Sequence, residues 1–131
     1  MLASEEIINM VSKTCMPFHV NSLTLAAAEI VYQMRDEFVP RIKQTVAERK
    51  RVEEELKKYN DIKVYPSETN FILIKLDKAN QLNAFLEESF IGARSFNNAK
   101  FLENCIRISI GTPEENDVIL NKISEFINKE G

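Results

Sequence analysis

Glycine is almost missing from this chain. Gly92, Gly111 and Gly131 are the only three in 131 residues, so there is no glycine-rich loop to wrap backbone N–H groups around a nucleotide phosphate. Histidine is scarcer still. His19 stands alone, and without an HExxH, an SxH or a paired cysteine–histidine spacing the sequence assembles neither a metal site nor a nucleophile with its base. The two cysteines, Cys15 and Cys105, lie 90 residues apart and outside any CxxC, which argues against a secreted disulfide framework and for reduced thiols in a cytosolic protein. Charge of one sign is not in excess either. With 17 basic against 20 acidic residues and a net charge of -3, nothing draws the chain to nucleic acid or to an anionic membrane. No apolar run approaches membrane-spanning length, and the stretch from Met1 to Lys13 is acidic at its start, where a signal peptide would be basic. The expectation is a soluble, cytoplasmic protein of one domain, or part of one, with no nucleic-acid or membrane partner.

What the chain does have is concentrated between Cys105 and Asn116, reading CIRISIGTPEEN. Strict alternation from Cys105 to Ile110 puts Ile106, Ile108 and Ile110 on one face of a strand and Cys105, Arg107 and Ser109 on the other. Gly111 allows a tight turn, Thr112 is a good N-cap, Pro113 suits the first helical position, and Glu115 completes a capping box with Thr112. A helix is therefore expected from about Pro113. Its apolar residues Ile119, Leu120, Ile123, Phe126 and Ile127 recur at helical spacing and can cover an isoleucine face of a sheet. Arg107 is left on the opposite face, where a lone arginine reads as a solvated surface residue.

Upstream, Ser4 with Glu5 and Glu6 starts a short helix reaching about Lys13, and Ser22 is placed as the N-cap of a second one ending near Met34. A long helix is expected from about Val39 to Tyr59, carrying Ile42, Val46, Val52, Leu56 and Tyr59 on one side with Arg49 inside that stripe. Its charge run ERKRVEEELKK is mixed in sign and pairs Glu53 with Lys57 and Glu54 with Lys58, which reads as a solvated face and not a binding patch. Beyond Asn60 the composition turns strand-like. Ile62 to Tyr65 and Asn70 to Leu76 read as two strands, the second apolar on both faces and hence central. Asp77 to Phe90 reads as a helix with Leu82, Phe85 and Leu86 turned to the sheet, Ile91 to Phe96 as a third strand, and Asn97 to Asn104 as a loop. The result is an α+β fold, a two-layer αβ sandwich in the order strand-strand-helix-strand-strand-helix, preceded by a long helix. Arg94 and Arg107 lie on the strands flanking that loop, and an antiparallel pairing across it would bring them together; periodicity leaves this open. Two converging arginines would make a receptor for phosphate or carboxylate, each fork donating two charge-assisted hydrogen bonds.

CIRISIGTPEEN closely resembles a segment near the C-terminus of histidinol-phosphate aminotransferases, pyridoxal-phosphate (PLP) enzymes of fold type I. PFHVNSLTLAAAE (Pro17 to Glu29) is similar to the family's interdomain segment and VYPSETNFILIK (Val64 to Lys75) to its first small-domain hairpin. ARSF places Arg94 13 residues before Arg107, the spacing of the family's substrate-binding arginine pair. His19 departs from the asparagine more usual at its position, which lies outside that pair. The resemblance implies that residues 1-38 are interdomain helices and linker and residues 39-131 the C-terminal small domain, the chain starting inside the parent fold as an excised piece or a truncated reading frame. It implies that Arg94 and Arg107 hold the phosphate of histidinol phosphate, placing its amine near the cofactor's aldehyde carbon, within a homodimeric parent serving histidine biosynthesis. No lysine here sits in a serine-x-x-lysine setting, so no catalytic or cofactor-binding residue is expected in this chain, which should carry no PLP and be inactive alone. Two other functions remain open: part of a related PLP enzyme such as a threonine-phosphate decarboxylase, or a free-standing anion-binding regulatory module.

Overall fold

The structure is a computed structural model that describes residues 3–14, 20–96 and 99–130. Cys15 and the PFH of the interdomain motif, His19 included, lie outside the described residues. The chain divides into two units, Met1–Phe38 and Val39–Gly131.

In the first unit, helix α1 (Glu5–Ser12) starts at Ser4, whose hydroxyl accepts the Ile7 N–H at 3.5 Å, with Glu5 and Glu6 in the first turn as the helix dipole favours. Helix α2 (Ser22–Gln33) is capped one residue earlier than expected: Asn21 Oδ1 accepts the Thr24 N–H at 2.9 Å, so Ser22 is already the first helical residue. Asparagine and serine cap comparably well, and spacing alone did not choose between neighbours. Neither helix has a buried residue.

Helix α3 (Arg35–Leu56) begins four residues before the expected Val39 and ends three before Tyr59. Pro40 is a residue that suits the first turn of a helix, where its missing N–H costs nothing. Here it sits one turn further in, at the cost of one main-chain hydrogen bond. The expected apolar stripe is covered only in its second half. Val52 and Leu56 are fully buried, whereas Ile42 and Val46 are exposed.

In the second unit, β1 (Lys63–Tyr65), β2 (Phe71–Lys75), α4 (Ala79–Glu88), β3 (Arg94–Ser95), β4 (Cys105–Ser109) and α5 (Pro113–Glu130) follow in the expected order. The four strands form one antiparallel sheet ordered β1-β2-β4-β3. β2 is central, as its two apolar faces require. Ile72 is opposite Ile108 and Ile74 opposite Ile106, and these four buried isoleucines form the floor of a core roofed by Val52 and Leu56 of α3, Leu82 and Leu86 of α4, and Ile119, Ile123 and Phe126 of α5. Phe85 joins this core half-buried, its ring centroid 5.8 Å from that of Phe126. The third strand is much shorter than Ile91 to Phe96, because Phe90 adopts a positive φ of 59° and residues 91–93 are spent returning from α4. The other sheet face carries Lys63, Tyr65, Phe71, Leu73, Lys75, Cys105, Arg107 and Ser109, none placed in that core.

Candidate anion site on the open sheet face

Alternation fixes the side from which Arg107 leaves the sheet, and strand register fixes its neighbours. With Ile106 and Ile108 buried in the core, Arg107 emerges on the open face opposite Leu73 of β2. On its other flank Arg107 is the Cα partner of Arg94 in the antiparallel β3–β4 pair. Directly opposed residues on one face have Cβ atoms about 4.5–5.5 Å apart, so the structure brings the two arginines together on one side of the sheet. Like charges so opposed repel, and among the described residues neither guanidinium has an ion-pair partner. Arg107 is also not the solvated arginine that a lone strand position suggests. It is half-buried, its Nε is buried without a hydrogen-bond partner, and its Cζ lies 4.9 Å from the centroid of the Phe71 ring. Arg94 is exposed, with Cζ 5.4 Å from the centroid of Phe96.

The end of the sheet that carries these strands is tied to α3. Ile110 N–H donates to the Asn70 carbonyl at 2.8 Å, joining the turn after β4 to the turn before β2. The turn after β4 folds as its sequence requires: Thr112 N–H donates to Glu115 Oε2 at 2.8 Å and Glu115 N–H to Thr112 Oγ1 at 3.3 Å, a complete capping box. Gly111 is needed there for a reason other than a special backbone angle. Neither described glycine, Gly92 or Gly111, has a positive φ, but a Cβ on Gly111 would lie 3.0 Å from Glu115 Cβ and closer still to the carboxylate that caps the helix. Asn116, only 1% exposed, fills the space beneath the turn: its Oδ1 accepts the Gly111 N–H at 2.9 Å while its Nδ2 donates to the Gly111 carbonyl at 3.1 Å and to Glu48 Oε2 at 2.8 Å.

Glu48 is held in turn by Arg51, at 2.7 Å, and Arg51 reaches on to Asp117 at 2.7 Å and to the Pro113 carbonyl at 3.3 Å. These bonds, from Arg51 first and Asn116 second, hold the Glu48 carboxyl below its ordinary pKa of 4.5, and the same carboxylate raises the pKa of Arg51. The neighbouring Arg49, 4% exposed, donates to the Thr69 carbonyl at 3.0 Å and to Glu68 at 2.8 Å, so it braces the turn that feeds Phe71.

The charge run on α3 is therefore not simply a solvated face. Glu53–Lys57 pairs as expected, but Lys58 takes Glu55 in place of Glu54, and Glu48, Arg49 and Arg51 bond residues that are distant in sequence. Sequence reading missed Glu48, Asn116 and Phe71. The position of Arg49 within an apolar stripe was the one available signal that part of this run is buried.

A sequence model of the aminotransferase class I and II family matches residues 1–123. The chain belongs to that family. It is 32% identical over 126 residues to a histidinol-phosphate aminotransferase of Vesicomyosocius okutanii, covering 96% of this chain and 36% of that protein. The crystal structure of the histidinol-phosphate aminotransferase from Clostridium acetobutylicum superimposes with a TM-score of 0.78 at 24% identity over 95% of this chain and 39% of that one. The L-threonine-O-3-phosphate decarboxylase of Porphyromonas gingivalis has the same fold, with a TM-score of 0.72 at 24% identity, covering 97% of this chain and 40% of that one. The chain thus spans a little over a third of the length of these proteins. The family depends on PLP, which a lysine holds as a Schiff base in an enclosed pocket. No lysine among the described residues is buried. Nor do the described residues contain a cluster of histidine, cysteine and carboxylate groups able to hold a metal ion, or a helix long and apolar enough to cross a membrane.

Proposed function

We propose that this chain supplies the substrate-phosphate subsite of a histidinol-phosphate aminotransferase, with Arg94 and Arg107 as the two residues that hold the phosphate. One observation carries this reading: two arginines are cross-strand partners on an open sheet face, and the described residues offer neither a counter-ion. A phosphate dianion relieves the repulsion between them and accepts hydrogen bonds from both forks. On this reading residues 1–38 are the interdomain helices and residues 39–131 the small domain of a cytoplasmic, homodimeric parent active in histidine biosynthesis. The chain's own residues bind and orient the phosphorylated end of the substrate, and the cofactor chemistry belongs to residues outside this chain. The net charge of -3 gives nucleic acid and anionic membranes no hold.

The test is to join this chain to the lysine-bearing domain of a relative and compare histidinol phosphate with histidinol. Arg107→Ala should lower kcat/KM for the phosphorylated substrate by about 10- to 150-fold, the worth of a hydrogen bond to a charged group, and change that for histidinol little. An equal loss with both substrates would show that Arg107 does not read the phosphate. The threonine-phosphate decarboxylase fold supports a second reading on the same arginines. Decarboxylation of threonine phosphate exceeding transamination of histidinol phosphate in the joined protein would favour it.

A further inference from the structure

Among the described residues, no hydrogen bond holds the Arg107 side chain. Its Nε is buried and unpartnered, no described carboxylate pairs with it, and Leu73 directly opposite offers no polar atom. A long side chain in that situation would be free to sweep across the sheet face, which weakens any site that depends on where its fork points. The register supplies the missing constraint. Phe71 is the Cα partner of Ser109, two residues along from Arg107 on the same face, which makes it the diagonal cross-strand neighbour within reach of an aromatic ring. Its ring centroid lies 4.9 Å from Arg107 Cζ, inside the range where the ring quadrupole attracts a guanidinium.

We propose that Phe71 is a positioning residue for the anion site: its ring is the platform on which the Arg107 guanidinium lies, so that the face occupied by Phe71 is closed and the Nη groups are left to donate to a phosphate. The contact to the ring is made through the face of the guanidinium and asks for no oxygen acceptor, so it can hold a side chain whose Nε has none. Phe71 itself is braced. Ser67 Oγ donates to the Phe71 carbonyl at 2.6 Å, and Arg49 holds the Thr69 carbonyl two residues before it. Arg94 lies over Phe96 at 5.4 Å in the same manner, so each member of the arginine pair has its own ring. The role of Phe71 rests on the anion reading of the pair and adds to it the residue that sets the direction of one fork.

The test uses the intact 131-residue chain, inorganic phosphate as the probe, and the NMR signal of the Arg107 Nε–H, assigned by its disappearance in Arg107→Ala. In the wild type this signal should lie upfield, shifted by the ring current of Phe71, and should move as phosphate is added. Phe71→Leu keeps an apolar strand residue but removes the ring. It should abolish the upfield shift and weaken phosphate binding by about two- to fivefold, with amide exchange at Ile72 and Ile74 unchanged. Phe71→Tyr should restore both the shift and the affinity. An Arg107 Nε–H without ring-current shift in the wild type, a result that needs no variant to fold, overturns the platform. So does Phe71→Leu binding phosphate as tightly as the wild type while Arg107→Ala binds it poorly. If Arg107→Ala binds phosphate as well as the wild type, the anion reading itself fails and the role of Phe71 goes with it.

Discussion

Asn116 and Glu48 do most to fix the turn from which α5 departs. Asn116 has both ends of its amide engaged on Gly111 and its remaining donor on Glu48, so shortening either side chain takes a hydrogen bond from a buried or half-buried partner. Asn116→Ala should cost about 1–3 kcal/mol in urea unfolding, because it leaves the Gly111 N–H and carbonyl unpaired and takes one of its donors from Glu48 Oε2, which Arg51 still holds. Glu48 adds a dependence on pH whose sign follows from its bonds. Its pKa is lower in the folded protein than in the unfolded chain, so its contribution is fully present above the ordinary value of 4.5 and is lost as pH falls through the folded value. Stability measured from pH 7 down to pH 3 should therefore fall less steeply in Glu48→Gln than in the wild type. An unchanged acid slope would mean that Glu48 is not held as described. None of this was legible in the sequence, where Glu48 sits in a run of mixed charge and Asn116 in an ordinary helix start. A side chain's long-range partner is set by tertiary folding, and local pattern carries no trace of it.

At the scale of elements, pattern was informative wherever one face is buried. The isoleucine alternation of β4 and the two apolar faces of β2 gave the right strands and the right centre of the sheet, because burial in a core imposes a period of two. The capping box Thr112–Glu115 placed the start of α5 at Pro113 for an equally local reason. Edges and unburied helices were less legible. β3 shrank to Arg94–Ser95, Asn21 displaced Ser22 as a cap, and α3 ran through Pro40, all at places where little is buried and several boundaries cost nearly the same. The same contrast predicts dynamics. Neither α1 nor α2 contains a buried residue, and Leu23, Met10 and Tyr32 are among the apolar side chains they leave exposed. Amides of these two helices should exchange close to the rate of an open chain, while those of Ile72 and Ile74 exchange only through larger opening of the sheet. Equal protection in α2 and β2 would contradict this account.

Across the whole molecule, membership of the aminotransferase family and the covered share of its relatives have to be held together. Residues 1–123 match the family, yet the chain spans only 36% of the Vesicomyosocius okutanii relative, and it offers PLP no buried lysine. Added PLP should therefore bind this chain no better than free amines do. Absorbance after exhaustive dialysis checks this, and a stoichiometric aldimine on one defined lysine would refute it. The arginine pair was legible in part. Spacing put both residues on strands around one loop, but only the register, with Arg94 opposite Arg107, puts them on one face. Whether they act as one receptor is open to a direct measurement: titrate the 131-residue chain with inorganic phosphate and follow the side-chain N–H signals of both arginines by NMR. One shared site predicts that both signals move along a single binding curve with one dissociation constant, and that Arg94→Ala weakens the response of Arg107. Movement of only one signal, or two unrelated constants, would contradict it.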